Sequence, residues 1–491
     1  MSILASFMVP HPPLIVPEVG RGGEKQVETT IRSYEKVADE IAALSPETII
    51  ITSPHATLYS DYFHISPGKT AKGSFAGFRA PSVRFAEQYD EDLVDKISEI
   101  AYHESFPCGT MGEQDRELDH GTMVPLWFIR NKYKDGKIVR IGLSGLPLTD
   151  HYKLGTILAR AVNTLNRRVV IVSSGDLSHK LQDYGPYGFA PEGPQYDERI
   201  MDVMGRAAFG ELFDFDEAFC DKAAECGHRS FVIMAGAWDG KKVHATTYSH
   251  EDVTGVGYGI CSFYPEEEET EKCDPDRQFL KIYLSQKEKD LSAARDASDI
   301  YVRLARLSLE TYIRTGKKIR VPEDLFSLVA GNRSGNDSTP AAADAIDEIP
   351  DALLNTRAGA FVSIHKQGML RGCIGTIGPT CKNLATEIAT NAISASTRDP
   401  RFDPIREDEL QWLEINVDVL GEAEDIDSID QLDVKRYGVI VSTRDGRRGL
   451  LLPDLDGVDT PEEQVSIAMR KGGIQKHEKY FLQRFEVVRH I

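Results

Sequence analysis

The residues best suited to chemistry are histidines that follow apolar runs. His11 ends SILASFMVPH, His55 ends ETIIITSPH and His179 ends RRVVIVSSGDLSH. Imidazoles that converge bind metal ions or transfer protons. Two neutral imidazoles and one carboxylate form the facial triad that holds Fe(II) and leaves positions open for substrate and dioxygen. Glu225 in AAECGH offers such a carboxylate, and His120 in LDHGT adds a further histidine in a loop context.

The runs before these histidines predict the elements that position them. They are rich in Val and Ile over lengths typical of buried strands. Amphipathic stretches such as KQVETTIRSYEKVADEIAAL alternate with them and predict helices. Ligands of open α/β sheets bind beyond the carboxyl ends of the strands. We therefore expect an α/β domain whose helix-flanked central sheet brings the histidines together at one edge.

A second set of reactive residue types lies in LRGCIG, where Arg371 and Cys373 flank Gly372. Side chains alternate along a strand, so Arg371 and Cys373 are expected on one face. A cation beside a thiol favours the nucleophilic thiolate. The alternative is structural, with Cys373 as a small buried residue and Gly372 permitting close backbone packing. The charged residues of TRDPRFDP are expected to form a surface ion-pair network.

Length and composition indicate a globular protein with two domains. The chain has 491 residues, whereas single cores stop growing at roughly 250–300. A net charge of -20 repels polyphosphates and argues against nucleic-acid binding. The seven cysteines form no CxxC pair, which predicts reduced thiols and a cytoplasmic protein. With no basic region at the N-terminus and no run of about 18 apolar residues, we expect neither a signal peptide nor a membrane span.

An acidic segment, PEEEETEKCDPDRQ, marks the expected domain boundary. It divides the chain into a first domain over 1–264, a linker over 265–284 and a second domain over 285–491. In the second domain, residues 292–317 predict one long helix and residues 331–350 an irregular insertion. The patterns GAFVSIHK, LEINVDVL and YGVIVST predict strands of an α+β domain with a largely antiparallel sheet.

The motifs VPHPP, SPHAT, LDHGT, GDLSH and AAECGH together resemble the class III extradiol dioxygenase superfamily, the LigB type, in its Memo-like branch. The resemblance covers residues 1 to about 264. It implies that Fe(II) is bound by His11, His55 and Glu225. Memo-like proteins have a cysteine followed by glycine near the third ligand, so Cys226 is the alternative to Glu225. A thiolate there would favour copper or zinc.

The same resemblance implies roles for the remaining residues. His179 corresponds to the general base, and His120 to a second active-site histidine that contacts substrate or oxygen. Asp176, in SSGDLSH, is expected to orient the base, because the partner of one imidazole nitrogen sets the tautomer of the other. The alternative for Asp176 is a turn or cap residue.

For function, the resemblance implies an Fe(II)-dependent non-haem oxidoreductase that uses dioxygen on a catechol-like aromatic substrate, with extradiol ring cleavage. The first alternative is a Memo-like metal-binding protein that holds iron or copper without ring cleavage. A further alternative is a modification enzyme whose metal site acts, together with a radical-SAM protein, on something other than a free catechol.

LRGCIG, with AGAFVSIHKQGM before it and STRDPRFDPIREDEL after it, resembles the AMMECR domain family over about residues 285–491. This resemblance implies an α+β fold more than a reaction. Fusion to a Memo-like domain implies a radical-SAM partner from the same prokaryotic system. The sequence contains no CxxxCxxC motif, so an iron–sulfur cluster would belong to that partner. The acidic surface is compatible with a monomer or a homodimer.

Overall fold

The computed structural model describes residues 2–114, 117–266, 273–321, 350–455 and 457–491. It divides the chain into two compact units, Met1–Ser285 and Gln286–Ile491. Strand β10 of the first unit ends at Pro265, and helix α9 begins at Phe279. The predicted linker over 265–284 therefore ends in a helix, and its residues 267–272 lie outside the described part of the chain.

The strands of the first unit are β1 (Ile3–Val9), β2 (Thr48–Ser53), β3 (Phe63–His64), β4 (Thr70–Phe75), β5 (Ala80–Gln88), β6 (Cys108–Gly109), β7 (Lys137–Gly142), β8 (Val169–Ser174), β9 (Val243–Glu251) and β10 (Tyr258–Pro265). Its helices are α1 (Pro17–Gly20), α2 (Glu28–Leu44), α3 (Glu91–His103), α4 (His120–Lys132), α5 (Leu148–Thr164), α6 (Glu192–Gly205), α7 (Glu217–Ala223) and α8 (His228–Ala237).

Six strands form the central sheet in the order β7-β2-β8-β1-β10-β9. β7, β2, β8 and β1 are parallel, whereas β10 and β9 are antiparallel to their neighbours. The carboxyl ends of β1, β2 and β8 consequently meet at one edge. This confirms the predicted helix-flanked sheet, and it is the arrangement that brings the loops after these strands together.

Both faces of the sheet are buried, which explains the unbroken apolar runs. On β2, Ile49 and Ile51 belong to one hydrophobic core and Ile50 to the other. On β8, Val170 and Ile171 are divided between the same two cores. Alternate residues of a strand face opposite sides, so a strand covered by helices on both faces needs apolar residues at every position.

The second unit contains helices α10 (Ile300–Thr315), α11 (Asp351–Asn355), α12 (Leu384–Thr397) and α13 (Pro461–Lys471), and α9 runs over Phe279–Ala297. Its strands are β11 (Ala360–Lys366), β12 (Met369–Gly375), β13 (Leu413–Leu420), β14 (Glu424–Ile426), β15 (Tyr437–Ser442), β16 (Arg448–Leu451) and β17 (Phe481–His490). All pairings among these seven strands are antiparallel, in the order β12-β11-β13-β17-β15-β16 with β14 beside β17. The predicted α+β class is confirmed.

The single helix predicted over 292–317 is wrong, because the structure has two helices, α9 and α10. The side chain of Asp299 accepts hydrogen bonds from the backbone N–H groups of Tyr301 and Val302 and so starts a new helix. The insertion predicted over 331–350 lies outside the described residues except for Pro350. Among the described helices, none is both long and apolar enough to cross a membrane.

Candidate metal centre and active site

Histidines from three loops meet at the carboxyl edge of the central sheet. His11 follows β1, His55 follows β2, and His120 is the first residue of α4. The ring centroids of His55 and His120 are 4.0 Å apart, and those of His11 and His55 are 4.8 Å apart. The Nε2 atoms of His11 and His55 are separated by 3.0 Å. The predicted convergence of these residues is therefore present in the structure.

Cys226 supplies a sulfur atom to this cluster. Its Sγ lies 3.6 Å from Nε2 of His11, and it accepts the backbone N–H of Asp176 at 3.3 Å. The segment approaches the end of β8 closely, because a Cβ on Gly175 would overlap the Cα of Gly227. Two facing glycines thus permit the contact that carries Cys226 to the histidines.

Glu225, the preferred third ligand in the sequence prediction, points elsewhere. Its carboxylate accepts the backbone N–H of His228 at 2.6 Å, at the start of α8. Burial raises the pKa of Glu225 to about 7, although the hydrogen bond from His228 opposes that rise. Within the described residues, two groups of side chains are close enough together to hold an ion. One is His11, His55 and Cys226, and the other is Asp176, His179 and Cys226, so that Glu225 belongs to neither. The geometry therefore favours Cys226 over Glu225 as the third ligand.

The Nδ1 atom of His11 is held by a chain of hydrogen bonds. It lies 3.0 Å from Oγ of Ser174, and that hydroxyl donates to the carbonyl oxygen of Gly121 at 2.6 Å. Because the Ser174 hydroxyl donates its proton to the Gly121 carbonyl, Nδ1 of His11 must be the donor to Oγ of Ser174. The proton of His11 is therefore on Nδ1, and the lone pair on Nε2 faces Cys226 and His55.

His179, which lies beside Asp176, also donates from Nδ1 and keeps the lone pair on Nε2. Its Nδ1 atom donates to the carbonyl oxygen of Ala224 at 2.6 Å, which leaves a lone pair on Nε2. This Nε2 atom lies 4.0 Å from the Asp176 carboxylate. Asp176 also accepts the backbone N–H of His11 at 2.7 Å. Burial raises the pKa of Asp176, and a positive charge on His179, once it is protonated, opposes that rise.

The cluster fits a single metal ion. Two nitrogens at about 2.0–2.1 Å from one ion are roughly 2.9–3.4 Å apart at ligand angles between about 90° and 109°. The corresponding nitrogen–sulfur separation is roughly 3.1–3.6 Å for a sulfur at about 2.3 Å. Nε2 of His11 lies 3.0 Å from Nε2 of His55 and 3.6 Å from Sγ of Cys226, and both distances lie in these ranges.

The electrostatics of the cluster favour neutral ligands. Burial lowers the pKa of His11, His55 and His120, the last to about 4, so that their lone pairs are free at neutral pH. Burial also raises the pKa of Cys226, so its thiol keeps the proton until a cation displaces it. A bound cation would thus compensate the burial of these groups.

Sequence reasoning missed Asp119, which positions His120. The Asp119 side chain accepts the backbone N–H of Thr122 at 3.0 Å and the hydroxyl of Ser53 at 2.6 Å. It thereby caps α4 and ties the start of that helix to the end of β2. An aspartate just before a helix is a readable N-cap signal. The contribution of Ser174, a small residue at the end of β8, has no such signal in the sequence.

In the second unit, β12 has one extra residue at Arg371. Ile364 pairs with Gly372, but His365 pairs with Leu370, so the regular alternation is interrupted. Arg371 hydrogen-bonds the Glu409 carboxylate at 2.9 and 3.0 Å, whereas Cys373 lies beside Ser363. Regular strand alternation predicts Arg371 and Cys373 on one face. The bulge at Arg371 interrupts that alternation, and the Arg371 guanidinium pairs with Glu409.

Two family models match the chain. Residues 5–261 match the catalytic LigB subunit of aromatic ring-opening dioxygenase, and residues 302–490 match AMMECR1. A protein of Clostridium acetobutylicum is 39% identical over 502 aligned residues, covering 100% of this chain and 99% of that protein. A Thermotoga maritima protein is 44% identical over 192 residues, covering 39% of this chain and 96% of its own.

Solved structures with some similarity include two uncharacterised proteins. One, from Pyrococcus horikoshii, is 27% identical and covers 39% of this chain and 89% of its own, with a TM-score of 0.32. The other, from Escherichia coli K12, is 16% identical and covers 53% of this chain and 99% of its own, with a TM-score of 0.35.

Proposed function

This chain belongs to the family of the catalytic LigB subunit of aromatic ring-opening dioxygenase, fused to an AMMECR1 domain, and from that premise we propose an Fe(II)-dependent enzyme. Its first unit uses dioxygen on a catechol-like aromatic substrate. The observation that supports the proposal most directly is the cluster of imidazoles and one thiol at the carboxyl edge of the sheet. A site of this kind at strand ends is where open α/β sheets bind ligands.

The ion would be held by His11, His55 and Cys226, with Asp176 beside them. Bound iron supplies the redox chemistry that connects a diol substrate to dioxygen. The protein supplies the orientation of the ligands. In particular, the hydrogen bond to Ser174 directs the lone pair of His11 toward the site.

His179 acts as the general base in this proposal. Its Nδ1 proton is held by the Ala224 carbonyl, so Nε2 is the atom that accepts a proton from a phenolic hydroxyl. The resulting imidazolium would lie within 4.0 Å of the Asp176 carboxylate, which stabilises the positive charge. His120 is neutral because burial lowers its pKa to about 4, so it offers a hydrogen bond without adding charge.

The experiment that tests the proposal uses the full chain loaded with Fe(II) in the absence of oxygen. Nitric oxide is added, and the EPR spectrum is recorded with and without a series of catechols. We expect a high-spin signal that changes with at least one catechol, followed by catechol-dependent oxygen uptake. A signal that no catechol changes, together with no oxygen uptake, contradicts the proposal.

A second candidate function is metal binding without ring cleavage. The supporting observation is that the residue beside His11 is the thiol of Cys226, whereas the carboxylate of Glu225 caps a helix. Sulfur donors favour copper or zinc over iron(II). Metal competition in wild-type protein and in Cys226→Asp separates the two functions. Wild-type protein that selects copper or zinc, with the aspartate variant shifted toward iron, supports the second candidate.

The radical-SAM partner stays a prediction from the family resemblance. It is tested by mixing this chain with a radical-SAM protein of the same organism and measuring co-elution. Absence of co-elution at micromolar concentrations of both proteins contradicts a stable complex.

A further inference from the structure

Two exposed aromatic side chains border the candidate site of the first unit. Phe78 makes an edge-to-face contact with His120, with the ring centroids 5.3 Å apart, and Tyr187 makes one with His179 at 5.1 Å. Phe78 is 38% exposed and Tyr187 is 60% exposed. Exposed apolar groups that are surrounded by polar residues mark ligand-binding surfaces. The chemistry assigned to the two histidines uses neither aromatic ring.

The histidines that these rings contact belong to one cluster. The ring centroids of His120 and His11 are 5.5 Å apart. The Asp176 carboxylate lies 3.9 Å from Nε2 of His11 and 4.0 Å from Nε2 of His179. The two aromatic rings therefore border a single site, each at a different histidine.

Phe78 is held in place by the fold around it. It is the last residue of a short 3-10 turn, Ala76–Phe78, between β4 and β5. Its ring centroid lies 6.0 Å from that of Phe75, which is fully buried. The carbonyl oxygen of the next residue, Arg79, accepts a hydrogen bond from the side chain of Arg21 at 2.7 Å. The exposed part of Phe78 thus belongs to a supported turn.

Tyr187 lies in the loop between β8 and α6, and hydrogen bonds within the loop hold its shape. The N–H of Ala190 donates to the carbonyl oxygen of Lys180 at 3.1 Å. The N–H of Gly188 donates to the carbonyl oxygen of Gly185 at 3.2 Å, which makes Tyr187 a central residue of a tight turn. Gly188 has a φ of 73°, in the left-handed region that favours glycine. The backbone therefore fixes where this exposed ring lies.

We propose that Phe78 and Tyr187 contact the ring of an aromatic ligand whose oxygen atoms bind the metal, and that they thereby select aromatic over aliphatic chelators. The inference rests on the proposed function, because it places the ligand at the ion held by His11, His55 and Cys226. Paired aromatic rings attract each other beyond the effect of buried apolar area alone. The exposed surface of each side chain leaves room for a second ring besides the imidazole.

A purely protective role predicts a different result. Rings that only cover His120 and His179 from water would change the metal affinity and the affinity of every ligand alike. Rings that recognise the ligand change only the affinity of ligands that carry a ring themselves. Ligands that bind the metal through the same atoms therefore separate the two roles.

The test uses the full chain loaded with Zn(II), which has no redox chemistry. Benzohydroxamate and acetohydroxamate chelate a metal ion through the same pair of oxygen atoms, but only benzohydroxamate carries an aromatic ring. Isothermal titration calorimetry measures both affinities, and their ratio removes the contribution of the shared chelating group. We expect benzohydroxamate to bind about fivefold more tightly, or better.

Variants without the aromatic rings identify the cause of the preference. Phe78→Leu and Tyr187→Leu should each lower the affinity ratio by about two- to tenfold and leave the zinc affinity unchanged. Phe78→Tyr and Tyr187→Phe keep a ring and should retain the wild-type ratio. Tyr102→Leu is the matched control and should have no effect. Tyr102 is 81% exposed and makes an edge-to-face contact with His103 at the end of α3, with centroids 5.9 Å apart.

The outcomes distinguish this inference from the proposed function. An unchanged ratio in both leucine variants overturns the inference, and so does failure of both hydroxamates to bind the wild-type protein. Catechol-dependent oxygen uptake with an unchanged ratio contradicts the inference alone. A ring preference that the leucine variants lose, without oxygen uptake on any catechol, supports the inference and contradicts only the dioxygenase function.

Discussion

The Nδ1 atom of His11 donates a hydrogen bond to Oγ of Ser174 over 3.0 Å, and both side chains are buried. Ser174 is the last residue of β8, so the end of this strand fixes the tautomer of His11. The hydroxyl proton is used on the Gly121 carbonyl, which makes the direction of the bond unambiguous. His11 thereby presents Nε2 to the metal site.

Replacing Ser174 with alanine should therefore weaken metal binding. Loss of such a supporting hydrogen bond typically lowers metal affinity by about 10–100-fold. Affinity is measured by competition with a chromophoric chelator. Ser173→Ala is the matched control, because Ser173 is also a buried serine of β8 but its hydroxyl has no hydrogen-bond partner within the described residues. Equal losses in the two variants would contradict the assigned role of Ser174.

The third ligand is tested by two substitutions at adjacent positions. Cys226→Ser should reduce metal affinity strongly, because it removes the sulfur that lies 3.6 Å from His11. Glu225→Gln should retain metal but lose part of the charge interaction with the start of α8, at a cost of about 0.5–1 kcal/mol. Metal content after dialysis and thermal unfolding give the two readouts. Metal loss in the Glu225 variant alone would restore the carboxylate as the ligand.

The base is separated from the ligands by comparing His179 with His55. His179→Gln should keep the metal and lose oxygen uptake, because Nδ1 of His179 is held by the Ala224 carbonyl and its Nε2 atom is left to accept the substrate proton. His55→Ala should lose the metal itself, since its Nε2 atom lies 3.0 Å from that of His11. Metal analysis and an oxygen electrode measure the two effects. Normal turnover by the His179 variant would refute its role as base.

Acid should destabilise the first unit through His151. Burial lowers the pKa of this residue to about 3, and in the neutral form its Nδ1 donates to the Pro147 carbonyl at 3.0 Å. Well above pH 6.5 the folded and unfolded states are both neutral at this residue, so its stabilisation is complete. Below that pH the unfolded chain binds a proton that the folded chain excludes. The stabilisation is therefore lost as pH falls toward the folded pKa.

Between pH 6.5 and 4.5 the expected loss from His151 is about 2–3 kcal/mol. Urea unfolding followed at constant ionic strength measures the slope of stability against pH. His151→Gln should reduce that slope by close to one proton, whatever its effect on stability at pH 7. An unchanged slope would show that His151 is protonated in the folded protein.

Gly372 is expected to be required for packing. A Cβ at this position would overlap the carbonyl oxygen of Ala395 in α12. Gly372→Ala should therefore destabilise the second unit by about 1–3 kcal/mol. Gly378→Ala is the control, because a Cβ there meets nothing within 4 Å. Thermal unfolding of the full chain compares the two, and similar melting temperatures would refute the close contact.

Elements with strong periodic patterns were predicted well. The strand pattern LEINVDVL corresponds to β13 (Leu413–Leu420), and the runs before His11 and His55 correspond to β1 and β2. Local side-chain alternation and burial determine such segments, so neighbouring residues are sufficient to indicate them. The break between α9 and α10 was missed, because the capping role of Asp299 was outweighed by helical patterns on both sides.

The sequence by itself indicated that His11 and His55 lie at strand ends on one edge, because apolar strand runs are visible locally and their alternation with helical patterns predicts a helix-covered sheet. Only the tertiary structure decided which of Glu225 and Cys226 faces them. Adjacent side chains point in different directions, and the close approach of the segment to β8 selects the thiol. In the second unit, a one-residue bulge interrupts the strand alternation at Arg371, and Arg371 pairs with Glu409 while Arg401 hydrogen-bonds the Cys373 carbonyl oxygen. Such offsets depend on contacts between distant segments, so a linear motif does not contain them.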